Sequence, residues 1–140
     1  MADLRRINHI MGETNAVYHD IWARMGLSDS VAVILYTLVN LGSIAPLSDI
    51  TRLTGSPKQT LNSALRKLER QALVELRTAG GRKKLVCLTQ KGLELAETTV
   101  CRVMELENSI FDGWSDMDLT AFVELNQRYL NQLREKTKEL

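Results

Sequence analysis

Cysteine is scarce in this sequence, with only Cys87 and Cys101. They frame no disulfide network, and both read as free, packing thiols in a reducing compartment. Histidine is equally scarce, with only His9 and His19. His9 with Glu13 four residues on, and His19 beside Asp20, make a poor ligand list, so solvated or interface histidines are expected and a metal site is not. No apolar run reaches the ~18 residues of a membrane span. The opening MADLRRINHIMGE has no uninterrupted apolar stretch and no small-residue cleavage site. No signal peptide is read there, and a cytoplasmic location is expected. A phosphate-binding loop, a Cys-x-x-Cys pair and a consistent catalytic triad are also missing, so neither enzymatic activity nor a cofactor is expected. There are two prolines and no repeat or low-complexity tract. The 140 residues suit one compact domain with a real core.

A formal net charge of +1 conceals an uneven distribution. Residues 47–91 hold ten Lys or Arg against Asp49, Glu69 and Glu75, a net +7, and the rest of the chain carries −6. A basic centre between acidic ends points to one surface that meets an anion.

Hydrophobic periodicity places the elements. Ile7, Ile10, Thr14, Val17, Ile21 and Met25 step by three and four residues, with Met11, Tyr18 and Trp22 widening the stripe. Gly26 and Ser28 mark a stop and a new N-cap. Residues 30–41 are apolar nearly all round, as in a buried central helix. Leu47, Ile50 and Leu53 line a short helix that Gly55 closes. Ser56, Pro57 and Gln59 have the spacing of a capping box opening a second helix over 57–71. Two helices joined so tightly outline a helix-turn-helix. Val74 and Leu76, then Leu85 and Cys87, alternate across a glycine turn and predict a two-stranded hairpin. From Thr89 the helical period returns in one run to Ile110. Ser115 then caps a last helix with Phe122, Val123, Leu125, Tyr129, Leu130 and Leu133 on its apolar side. The expected fold is mainly α with a small β-hairpin wing: four helices, the hairpin and two long helices.

Stepped at about 100° per residue, the 57–71 helix puts Leu61, Ala64, Leu65, Leu68 and Ala72 on the core side. The other side carries Gln59, Ser63, Arg66 and Arg70, flanked by Lys58, Asn62 and Lys67. Gln59, Asn62 and Ser63 suit base edges in a major groove, and Arg66 suits either bases or backbone. Lys58, Lys67 and Arg70 suit phosphates. Arg82, Lys83 and Lys84 follow Gly80 and Gly81 at the wing tip, where groove or phosphate contact is expected. A solvated polar face is the plain alternative for this helix, and the capping box competes with DNA for Gln59.

Two segments, LNSALRKLERQALVEL and LVCLTQKGLEL, resemble the MarR-like family of winged-helix transcriptional regulators. The second has the family's LT-x-K-G junction between strand and helix. The resemblance runs over nearly the whole chain. It implies one domain over 1–140, with a DNA-binding lobe at 28–89 and dimerisation helices at 1–27 and 90–140. It also implies a homodimer on a palindromic site in double-stranded DNA, acting as a repressor. A two-fold dimer places its recognition helices about 34 Å apart, one turn of DNA. Relatives commonly release DNA on binding small aromatic compounds, and Tyr18, Trp22, Met25 and Tyr36 are the candidate effector-pocket residues here, with core packing as their plain alternative. Two positions depart from the family pattern. Gly80 stands where an acid commonly orients the wing arginine, and Ala72 stands where glycine is frequent. A winged helix serving protein–protein contact is the rival reading.

Overall fold

The computed structural model describes residues 2–140. In chain order the elements are α1 (Ala2–Arg24), α2 (Asp29–Asn40), β1 (Ile44–Pro46), α3 (Leu47–Thr54), α4 (Lys58–Arg70), β2 (Val74–Thr78), β3 (Lys84–Leu88), α5 (Gln90–Thr98), α6 (Val100–Asp112) and α7 (Asp116–Thr137). The chain divides into two compact units, residues 1–102 and residues 103–140.

The first unit is built around α2, as its apolar composition requires. Ser28 caps the helix, its Oγ accepting from the Val31 amide at 3.3 Å. Ala32, Ile34, Leu35 and Leu38 are fully buried, each larger side chain contributing about 1.5–3 kcal/mol by leaving water. Helices α1, α3, α4 and α5 and strand β3 all pack on α2. Helix α1 joins this core through its C-terminal end, where Trp22 is buried. Gly26 in the left-handed region and a Leu27 amide to Trp22 carbonyl bond of 2.9 Å close α1. Upstream, Ile7, Ile10, Met11 and Val17 stay more than half exposed.

Helix α3 ends on Gly55, at φ +62°. The expected capping box before α4 does not form. Pro57, not Ser56, is the N-cap, and no side chain caps the helix. The Leu61 amide donates to the Pro57 carbonyl at 3.0 Å, so the first helical acceptor lies one residue later than the spacing predicts. That shift moves Gln59 out of the box position, and the Ser56 amide turns to Thr54 Oγ1 instead.

The hairpin is part of a three-stranded antiparallel sheet in the order β1-β3-β2. The added strand, β1, has three residues and carries Pro46, too short to show a period and tolerable only at an edge. Pairing sets Val74 opposite Leu88 and Leu76 opposite Val86, so Val86 is the inward residue between them. Leu85 and Cys87 fall on the opposite face, beside Arg77 and Glu75. Cys87 is nevertheless buried.

The single long helix expected from Thr89 is interrupted at Thr99, whose backbone (φ −126°, ψ −92°) is not helical. At the break the Thr98 and Thr99 hydroxyls both donate to the Leu95 carbonyl, at 3.1 and 2.6 Å, and the Thr99 amide bonds the Ala96 carbonyl at 3.2 Å.

In the second unit, Ser115 Oγ accepts from the Asp118 amide at 3.1 Å and starts α7 as its sequence predicts. Phe111, Trp114 and Phe122 make a three-ring cluster with centroids 5.2–6.1 Å apart, which ties the end of α6 to the first turns of α7. No residue of α7 is buried. Among the described residues no helix is long and apolar enough to cross a membrane.

Candidate nucleic-acid interface

Helix α4 divides its sides as the sequence predicts, except at Ala72. Leu61, Ala64, Leu65 and Leu68 are buried, but Ala72, expected on the core side, is exposed, because the helix ends at Arg70 and Ala72 turns away at φ +58°. Lys58, Gln59, Asn62, Ser63, Arg66, Lys67 and Arg70 are all exposed. The missing capping box leaves Gln59 outward. Gln59, Ser63 and Lys67 line one side of an open cleft of about 470 Å³, and Ser28 and Ser30 at the start of α2 line the other. The two serines are a part of this surface that sequence reasoning missed. Ser28 stands out in the sequence only as a cap, and nothing in one dimension brings it beside α4.

The wing turn spans residues 79–83. The Ala79 amide donates to the Lys83 carbonyl at 2.8 Å. Gly80 and Gly81 adopt φ +55° and +63°, which glycine adopts without steric cost. Arg82, Lys83 and Lys84 are exposed. Among the described residues none of these three cations has an ion-pair partner, nor do Lys58, Arg66, Lys67 and Arg70. Other cations of the basic segment are engaged. Arg52 pairs with Asp49 at 3.4 Å, and Arg77 with Glu75 at 3.1 Å. Gly80 at the turn carries no side chain, and among the described residues no ion pair holds Arg82.

Lys91 is also engaged. Its Nζ donates to the Gln71 carbonyl at 2.9 Å, so the charge faces the C-terminus of α4. Thr89 Oγ1 donates to the Ala72 carbonyl at 2.6 Å and accepts from the Gly92 amide at 3.0 Å, capping α5. A β-carbon at Gly92 would overlap the Leu73 carbonyl oxygen, so only glycine allows this approach. The LT-x-K-G junction is therefore a clasp around the end of α4. Ala72 closes that helix at φ +58°, the region glycine favours, and the Leu73 amide reaches back to the Leu68 carbonyl at 2.9 Å.

Three of the four candidate effector-pocket residues come together. Trp22 is buried. Tyr18 stacks on it at 6.2 Å between centroids, and Tyr36 meets it edge-on at 6.4 Å. Met25 lies half-buried one helical step beyond. Nearby, His19 Nδ1 bonds Asp29 Oδ2 at 2.8 Å across the α1–α2 connection. The hydrogen bond to Asp29, with its negative charge, raises the His19 pKa above its ordinary value near 6.5, and Asp20 adds to the effect. Among the described residues no three His, Cys, Asp or Glu side chains gather as metal ligands would.

This architecture, a helix-turn-helix followed by a β-hairpin wing, defines a winged helix. Residues 25–84 match the sequence model of the MarR family. A MarR family regulator from Neisseria meningitidis has a similar structure, with a TM-score of 0.80 at 24% identity over 98% of this chain and 96% of that one. AbsC, a MarR family transcriptional regulator from Streptomyces coelicolor, gives 0.77 at 20% identity, over 96% and 93% of the two chains. BpsR from Bordetella bronchiseptica, whose DNA binding is regulated by 6-hydroxynicotinic acid, gives 0.66 at 22% identity, over 89% and 98%. No curated protein matches the sequence. The likeness to the MarR family thus rests on sequence across the winged-helix lobe and on fold across nearly the whole chain.

Proposed function

We propose that this chain is a cytoplasmic, homodimeric transcriptional regulator without enzymatic activity, which represses by binding a palindromic operator in double-stranded DNA. The observation that carries this reading is the set of seven exposed cations on α4 and the wing that lack ion-pair partners among the described residues. A face left unbalanced suits a polyanion, because each phosphate it neutralises releases a counterion. Gln59, Asn62 and Ser63 project from the first half of α4, the part that reaches base edges deepest.

The homodimer is supported by apolar surface left in water on each unit taken by itself. In the first unit Ile7, Ile10, Met11 and Val17 of α1, and in the second Phe122, Val123, Tyr129 and Leu133 of α7, are each between 45% and 58% exposed. A helix face with this much exposed apolar surface suits association with another chain. A small aromatic effector at Tyr18, Trp22, Met25 and Tyr36 accords with the ligand-regulated relative from Bordetella, and would act by shifting the angle or spacing of the two α4 helices.

Selection of bound sequences from a random duplex pool tests the proposal. An enriched palindrome with half-sites about one helical turn apart is expected. Asn62→Ala or Ser63→Ala should then change which bases are preferred. Binding that enriches no sequence and is indifferent to salt would favour the protein–protein alternative.

A further inference from the structure

The clasp at the end of α4 has a chemistry distinct from the DNA-facing side. Thr89, Lys91 and Gly92 all converge on residues 71–73. Thr89 donates to the Ala72 carbonyl through its hydroxyl and to the Leu73 carbonyl through its amide, at 2.6 and 3.1 Å. Gly92 lets the start of α5 press against the Leu73 carbonyl. Lys91 supplies the one charge, to the Gln71 carbonyl at 2.9 Å. Gln71 is the C-cap of α4, where the unsatisfied carbonyls concentrate the negative end of the helix dipole.

We infer that Lys91 is a positioning residue for α4: its ammonium holds the C-terminus of the recognition helix against the start of α5, and so sets the angle at which α4 meets DNA. The inference rests on the DNA-binding reading for its functional half and on geometry alone for the clasp. It removes Lys91 from the cations that touch phosphate. The remaining contacts of the clasp are backbone or hydroxyl bonds that survive a change at position 91, so a Lys91 variant keeps the fold and loses only the charged tie.

Lys91→Met and Lys91→Arg in the full chain test both halves. The clasp is read without DNA, by hydrogen exchange at the Leu73 amide, which bonds the Leu68 carbonyl. Exchange should quicken about tenfold in Lys91→Met, with the amides of α7 unchanged. Unchanged exchange at Leu73 overturns the clasp. On an operator duplex, Lys91→Met should bind about threefold to tenfold more weakly, the loss expected when the competent orientation of α4 becomes a minor one. Its melting temperature should stay near that of the wild type. The slope of log affinity against log salt should not change, and Lys91→Arg should recover most of the affinity. A slope shallower by about 0.9 per protomer would make Lys91 a phosphate contact and overturn the inference. Unaltered affinity would also overturn it. If the wild type binds no duplex, the proposed function fails, while the exchange measurement still decides the clasp.

Discussion

Replacing Arg82 and Lys83 together with alanine strips two of the three cations from the wing tip. Both are exposed and, among the described residues, have no ion-pair partner, so the change leaves no acid unbalanced and removes no buried surface. Folding stability should stay within about 0.5 kcal/mol of the wild type. The effect on DNA should be large and of a recognisable kind. Each phosphate contact contributes about 0.9 to the slope of log affinity against log salt. A two-fold dimer loses four such charges, so the slope should become shallower by about 3.6. Between about 50 and 200 mM salt, the advantage of the wild type should therefore shrink about 150-fold. The assay is a fluorescence titration of one operator duplex, repeated across that range, and then with an unrelated duplex. Both sequences should be affected alike, because phosphates carry no sequence information. Parallel salt plots for the two proteins would refute the assignment of the wing to the DNA backbone, as would a loss confined to the operator.

Three other substitutions probe the frame around this surface. Ala72→Gly relieves an exposed alanine held at φ +58°, and should stabilise the protein by about 1 kcal/mol in chemical denaturation, the left-handed penalty outweighing the freedom glycine adds to the unfolded chain. Gly92→Ala drives a β-carbon into the Leu73 carbonyl and should cost about 3 kcal/mol or more in the same measurement; a near-neutral result would contradict the close approach of α5 to the end of α4. The His19–Asp29 pair raises the histidine pKa, so its stabilisation is complete below the unfolded value near 6.5 and is lost as pH rises through the folded one. The melting temperature of Asp29→Asn should accordingly fall below the wild type at mildly acid pH and converge with it at alkaline pH, and the His19 titration followed by NMR should move back toward its ordinary value.

Much of this architecture is local and therefore legible in one dimension. The ends of α3, the caps at Ser28 and Ser115 and the two sides of α4 follow from residue type and a period of 3.6, which need only neighbours a few positions away. The glycine wing tip with its three cations is equally local. The errors share a physical origin as well. The capping box at Ser56 is a sound pattern, but Pro57 takes an extended ψ of 138°, so the helix starts one residue later and no side chain caps it. Thr99 leaves the helical region in the middle of an unbroken apolar period, and hydrophobic spacing does not register a backbone break of this kind. Strand β1 has only three residues and forms because β3 offers it an edge.

The sequence by itself determined which residues face water on α4 and the wing, because amphipathic spacing and charge do not depend on distant partners. Which of the cations are engaged was decided partly by neighbours in sequence and, for Lys91, by tertiary structure alone. Ten look alike between residues 47 and 91. Pairing to Asp49 and Glu75 withdraws Arg52 and Arg77, and the carbonyl of Gln71, twenty residues away in sequence, withdraws Lys91. The Lys91 acceptor is settled by the packing of α5 against the end of α4, a contact that no period or charge pattern in the sequence registers.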